Sequence, residues 1–294
     1  MMISVILPYA NPHNLDWILK IPNVEINIGC INSTQKYRPG YFHEYDNLDN
    51  VFYLFKGRSH KDKFIEKLKR SSVLISLGIF NTELLSISKY CNKNIRLIIL
   101  SEPFNPINSK KKYVLRKLWS KVIRLHYNDI HFFCIGVKDV KNYYMSLGFV
   151  KAKYLNFGFF PDLEFKQPNI KNNSEIINIG FIGQLIPRKG IDRLIELMYY
   201  ITNNSYPYRV LIAGDGECKK ILLKTIKDLD NPNIKYLGLI SNKFELSLLY
   251  ESIDILFVPS YFDGWGVIVN EGIAKSCAIV SSYNYPQILD NNNN

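Results

Sequence analysis

Short apolar runs alternate along this chain with stretches in which apolar residues recur every three or four positions. In the first half, Ile3–Leu7, Val51–Phe55, Val73–Leu77, Ile95–Leu100 and His131–Gly136 predict strands. Lys61–Arg70, Asn81–Tyr90, Tyr113–His126 and Lys138–Leu147 predict helices. A Gly-Phe-Phe-Pro corner at 158–161 leads into the polar, Asn- and Lys-rich run Gln167–Glu175, which reads as a linker. The rhythm then returns. Strands are expected at Ile176–Ile182, Arg209–Ala213, Ile234–Leu237, Ile253–Pro259 and Ala278–Ser282. Helices are expected at Ile191–Ile201, Cys218–Leu229 and Lys243–Glu251, with a further one opening near Val267. Apolar strands separated by amphipathic helices are buried on both faces, the mark of a parallel sheet of βα units. The expectation is an α/β protein with two Rossmann-like domains, residues 1–165 and 166–294, that share architecture but no sequence repeat.

Length supports the division, because 294 residues are long for a single core, and 47% hydrophobic content is enough for two interiors. No apolar run is long enough to span a bilayer, and Met1–Pro12 enters a strand without the layout of a secretion signal. A cytoplasmic protein is expected. Five scattered cysteines without a CxxC read as reduced thiols, and the five histidines show no metal-ligand spacing, so no metal is expected. Charge adds an asymmetry. Residues 1–163 hold 24 Lys and Arg against 12 Asp and Glu, whereas the remainder holds 13 against 14. The basic excess sits on the first half, where it invites an anionic partner: lipid, nucleic acid or an anionic acceptor.

The densest chemistry lies in 260–280. After the strand at Ile253–Pro259 comes a tight turn, Asp263-Gly264-Trp265-Gly266, and then a helix start. Glycines let the backbone approach a ligand, and a helix start offers unpaired N–H groups and a positive dipole end. Asp263 and Glu271, eight residues apart, add carboxylates that accept from hydroxyls. The set suits a nucleotide sugar. The stretch resembles the donor-binding signature of retaining family 4 glycosyltransferases of the GT-B fold, of the bacterial capsule, O-antigen and lipopolysaccharide type.

That resemblance implies that Asp263 contacts donor-sugar hydroxyls and that Glu271 holds the ribose. Asp263 is one methylene shorter than the family's Glu. Upstream, Ile179–Gly190 resembles the family's strand, loop and helix: Gly183 opens the loop, and Lys189 matches the Lys that neutralises the donor diphosphate. Gln184 stands where the family has Arg, with Arg188 within reach of the same oxygens. Val210–Gly216 and Ile234–Gly238 follow in the family's order. The implied activity is transfer of a sugar from a nucleotide diphosphate to a glycan or lipid-linked acceptor, with retention, in cell-surface polysaccharide synthesis. Lys189, Arg188 and the helix start after Gly266 would stabilise the departing diphosphate without a metal or other cofactor. For Trp265, packing is favoured over forming a wall of the site. Family members continue past a segment such as 286–294, so a truncated second domain is expected. Gln184 and that ending keep a catalytically silent donor-binding subunit in view. A basic nucleic-acid-binding protein is the weaker alternative, because no reader motif is present and no nucleic acid is expected. A nicotinamide dehydrogenase is weaker still, since Gly180-Phe181-Ile182-Gly183 is not G-x-G-x-x-G.

In the first half, Glu102 ends a strand where it can face an acceptor, although a carboxylate paired with the lysines that follow reads as well. Tyr9, Asn11 and His13 occupy the loop after the first strand, with His13 as a sugar-contacting or catalytic candidate beside the plainer reading of a solvated loop residue. His60 carries no assigned role. Asp228-Leu229-Asp230 spells a metal-binding DxD but fits turn chemistry better. The basic helix at 110–124 carries a stripe of Val114, Leu118 and Val122 with Leu115, Trp119 and Ile123 alongside, and Lys110, Lys117, Lys121 and Arg124 largely off it. Either the stripe packs on the sheet, or it meets an anionic membrane surface, placing the protein peripherally on the inner face. The charge asymmetry favours the membrane.

Overall fold

A computed structural model describes residues 1–10, 15, 17–32, 48–102, 110–135, 139–158, 176–204 and 206–282. The chain divides into two compact units, Met1–Pro161 and Asp162–Asn294. The Gln167–Glu175 linker and most of the 158–161 corner lie outside the described residues.

The first unit is built on seven strands: β1 (Met2–Leu7), β2 (Glu25–Cys30), β3 (Val51–Tyr53), β4 (Val73–Leu77), β5 (Arg96–Ser101), β6 (Asp129–Ile135) and β7 (Lys153–Phe157). They lie in the order β3-β2-β1-β4-β5-β6-β7, every pair parallel. The helices between them, among the described residues, include α1 (Arg58–Lys69), α2 (Thr82–Ser88), α3 (Lys110–His126) and α4 (Asp139–Ser146). One face of the sheet packs Ile6, Leu74, Leu97, Ile99 and Phe132 against Phe64 and Leu68 of α1, Leu84 and Ile87 of α2, Ile123 of α3 and Tyr144 of α4.

The second unit repeats the scheme with five strands, β8 (Ile177–Ile182), β9 (Tyr208–Ala213), β10 (Ile234–Gly238), β11 (Ile255–Val258) and β12 (Ala278–Ser281). Their order is β10-β9-β8-β11-β12, again all parallel. Its helices are α5 (Ile191–Asn204), α6 (Lys219–Leu229), α7 (Lys243–Ser252) and α8 (Val267–Ala274). In both sheets the order reverses direction beside the first strand, between β1 and β4 and between β8 and β11. Such switch points leave a crevice at the carboxyl ends of the strands, where loops diverge to opposite faces and ligands lie in this class of fold.

Three local departures from the sequence reading have plain causes. Strands β2 and β7 were not anticipated: β2 alternates Glu25, Asn27 and Gly29 with apolar residues, and the edge strand β7 carries Lys153 and Asn156. The strand expected to reach Phe55 stops at Tyr53, and Leu54–Lys56 forms a 3-10 turn before Gly57 at φ 112°. The run expected from Ile253 to Pro259 narrows to Ile255–Val258, because the Asp254 carboxylate accepts the Asn178 N–H at 2.8 Å and marks the strand's entrance.

Helix α3 is attached by a face that periodicity did not single out. Ser120 and Ile123 are buried, and Trp119 Nε1 donates to the Ile79 carbonyl at 2.9 Å. The Arg116 guanidinium lies 5.0 Å from the Phe80 ring centre and donates to Tyr143 Oη at 2.7 Å. Val114, Leu115, Leu118 and Leu125 turn outward, from 55% to 75% exposed, with Val122 at 38%. The Val114, Leu118, Val122 stripe therefore does not pack on the sheet. Among the described residues no helix is long and apolar enough to cross a membrane.

Candidate functional site

The loops that follow β8 and β11 leave adjacent strands at the second switch point, and local backbone chemistry brings them together. The Gly183 N–H donates to the Ala213 carbonyl at 3.0 Å and the Leu185 N–H to the Asp215 carbonyl at 2.9 Å, so the first loop is anchored over β9. A 3-10 turn, Pro187–Lys189, closes on Gly190 at φ 72°. A Cβ at Gly190 would stand 2.1 Å from the Pro259 carbonyl oxygen, so only glycine lets this loop lie against the end of β11. The Tyr261 N–H completes the seam by donating to the Arg188 carbonyl at 2.9 Å.

This seam places two cations on one carboxylate. Lys189 Nζ forms an ion pair and hydrogen bond with Asp263 Oδ2. Arg188 Nη1 donates to Asp263 Oδ1 at 3.1 Å and to the Phe262 carbonyl at 2.6 Å. The Gly264 N–H adds a third contact to Oδ1, also at 3.1 Å. The Asp263 and Lys189 side chains are only 14% and 16% exposed. Burial pushes the Asp263 carboxyl up, but the Lys189 ammonium and Arg188 guanidinium outweigh it and hold the group below the usual carboxylate range. Two fixed cations in a half-dry crevice attract an anion far more strongly than they would in water.

Gly266, left-handed at φ 75°, turns the second loop into α8, whose start has no side-chain cap. Trp265 Nε1 donates to Asn270 Oδ1 at 2.9 Å and ties the turn to the helix. Glu271, in the second turn of α8, accepts a hydrogen bond from Tyr250 Oη at 2.5 Å. Gln184 is half-buried in the first loop, its carbonyl accepting the Ile186 N–H at 3.0 Å. The structure thus gathers Arg188, Lys189, Asp263 and Gly264 at the switch point, with Gly183 and Gln184 in the first loop and Trp265, Gly266 and Glu271 leading into α8.

The other candidates are not part of these two loops. Glu102 is exposed just after β5 in the first unit, and His13 and Asn11 lie outside the described residues. Asp230 caps the end of α6 at φ 43°, which gives Asp228-Leu229-Asp230 a turn role. Among the described residues no group of three or more His, Cys, Asp or Glu side chains is placed to hold a metal ion. The five thiols are free of disulfides, and burial pushes the Cys134 thiol up to about 11, away from reactivity. Sequence reasoning missed two tyrosines at the site. Tyr250 has no distinguishing spacing within its helix. Tyr261 bonds Asp192 and lies under the Arg193 guanidinium, 3.8 Å from the ring centre, while Arg193 Nη1 reaches Ser282 Oγ at 2.6 Å. The Tyr261 hydroxyl lowers the Asp192 carboxyl.

Comparison with known proteins follows the same division. Residues 162–294 match the family model for glycosyl transferases group 1. An uncharacterized glycosyltransferase of Methanocaldococcus jannaschii is 30% identical over 105 residues, 35% of this chain and 26% of that protein. The amylovoran biosynthesis glycosyltransferase AmsD of Erwinia amylovora is 24% identical over 284 residues, 90% of this chain and 73% of that protein. The matches span only 26% to 37% of the length of the first curated relatives. Among solved structures, Anabaena HepE in complex with UDP and glucose superposes with a TM-score of 0.66 at 14% identity, covering 98% of this chain and 82% of that one. The fold is that of the GT-B glycosyltransferases.

Proposed function

We propose that this chain, whose residues 162–294 match the family model for glycosyl transferases group 1, transfers a sugar from a nucleotide diphosphate to a glycan or lipid-linked acceptor, with retention at the anomeric carbon. The observation that carries this reading is the convergence of Lys189 and Arg188 on one half-buried point beside the start of α8. A diphosphate entering the crevice takes over the contacts these cations now make with Asp263. Its departing charge is then stabilised by groups already in place, which is where such sites gain most of their rate. Asp263, released from the cations, accepts from hydroxyls of the donor sugar, and Glu271 accepts from the ribose. In this reading Lys189, Arg188 and the start of α8 supply the charge that a metal would otherwise bring to the diphosphate. Cell-surface polysaccharide synthesis fits the similarity to AmsD.

The acceptor side belongs to the same reading. The outward apolar stripe of α3, edged by the exposed Lys117 and Lys121, seats the first unit on an anionic bilayer and brings a lipid-linked acceptor to the enzyme at the cytoplasmic face. A catalytically silent donor-binding subunit is the second reading, favoured by Gln184, an uncharged residue at the head of the phosphate loop. A thermal-shift screen of the chain against UDP- and GDP-sugars tests the proposal, with Lys189→Ala and Glu271→Ala as controls. A donor-specific rise lost in both variants is expected. A rise accompanied by no transfer to any glycan or polyprenyl-linked acceptor moves the case to the silent subunit, and the absence of a rise removes the donor site.

A further inference from the structure

Tyr250 and Glu271 are joined by a hydrogen bond of 2.5 Å between the tyrosine hydroxyl and Oε2. Tyr250 is 3% exposed near the end of α7, packed with Leu249, Ile253, Leu256 and Val269, and its carbonyl accepts from Cys277 Sγ at 3.3 Å. The ring therefore sits in the buried cluster shared by α7, β11 and α8, and the backbone of Tyr250 is tied to the segment after α8. A phenol has one proton to donate, and here it goes to a carboxylate, the stronger class of acceptor. A glutamate on a helix surface has three rotatable bonds, so a carboxylate meant to meet a pair of hydroxyls must first be held still. Anchoring one oxygen fixes the direction of the other.

We propose that Tyr250 is a positioning residue that sets the Glu271 carboxylate for the two ribose hydroxyls of the donor nucleotide. The proposal rests on the donor-site reading above. It assigns Tyr250 no contact with the ligand, so its effect must appear only with ligands that carry ribose hydroxyls and only while Glu271 is present.

The test is calorimetric titration of the full chain and of Tyr250→Phe, Glu271→Gln, the double variant and Lys189→Ala. The probes are UDP, GDP, their 2′,3′-dideoxy analogues and inorganic pyrophosphate. Tyr250→Phe is expected to weaken the better-bound nucleotide about tenfold, to leave its dideoxy analogue and pyrophosphate within about twofold, and to add nothing to Glu271→Gln. Equal weakening of all probes, no weakening of any, or additive effects with Glu271→Gln overturns the assignment and reduces Tyr250 to a packing residue. Tight nucleotide binding that Lys189→Ala abolishes would in that case leave the donor site standing. Failure of the unmodified chain to bind either nucleotide overturns both readings together.

Discussion

The carboxyl edges of the two sheets start from the same plan and end in different chemistry. Each sheet reverses its strand order beside its first strand, the place where ligands lie in this class of fold. At the first, neutral side chains of the loop after β4 bond one another and the backbone. Ser76 Oγ donates to the Gly78 carbonyl at 2.7 Å, Asn81 Nδ2 donates to Ser76 Oγ at 3.2 Å, and Asn81 Oδ1 caps α2 through the Leu84 N–H. At the second, Lys189 and Arg188 converge on Asp263, with Lys189 and Asp263 largely closed off from water and Arg188 partly exposed. Burying such a cluster costs desolvation that a neutral loop avoids, so it is weak as a stabilising device and makes sense as a binding one. Topology marks where a ligand lies in either unit, and side chains decide which ligand it is.

That contrast is open to attack at several points. The largest expected effect is on turnover. In the proposed reaction Lys189 is the main electrostatic contact of the departing diphosphate, so Lys189→Ala should lower kcat by about 10²- to 10³-fold. Ser76→Ala, at the first switch point, should leave donor affinity within about twofold by titration. Next comes the orientation of α3. Ile123→Asn buries an unpaired amide and should cost about 3 kcal/mol in a denaturant melt, whereas Leu118→Asn on the outward stripe should stay within about 0.5 kcal/mol. Equal costs would mean that the stripe is covered.

The acid limb of stability comes third. Asp263 has a depressed pKa in the folded chain, so its contribution is complete above its ordinary value of 3.8 and drains away as pH falls below that through the folded value. Asp263→Asn should therefore be less stable near neutrality and lose less of its melting temperature between pH 4 and pH 2 (roughly, from the ordinary carboxylate range). The smallest effect is on the first unit. Lys117→Glu and Lys121→Glu should each weaken sedimentation with anionic phosphatidylglycerol vesicles by at least about fivefold, leaving phosphatidylcholine vesicles unchanged.

Much of this architecture was legible in the residues, for reasons that also explain the gaps. Strands β9 and β11 announce themselves through the unbroken apolar runs Val210–Ala213 and Ile255–Val258. Glu25 and Asn27 in β2, and Lys153 and Asn156 in β7, break that pattern, and so those strands went unseen. Lys189 and Asp263 were each visible on glycine-bounded loops, but their direct pairing across 74 residues was not. It depends on β8 lying beside β11, a fact of topology and not of spacing. Helix α3 shows the limit of periodicity most clearly. Its apolar residues cover more than one face, and the face that packs is chosen by Trp119 and Arg116, whose polar ends find Ile79 and Tyr143.

The central claim, that Lys189 and Arg188 form the diphosphate seat, is tested most directly by a crystal structure of the chain soaked with UDP or GDP. The account predicts diphosphate oxygens within about 3 Å of Lys189 Nζ and the Arg188 guanidinium, with the Asp263 carboxylate displaced from the ammonium. A nucleotide bound while the Lys189–Asp263 pair remains intact, or bound away from the crevice between β8 and β11, would contradict it.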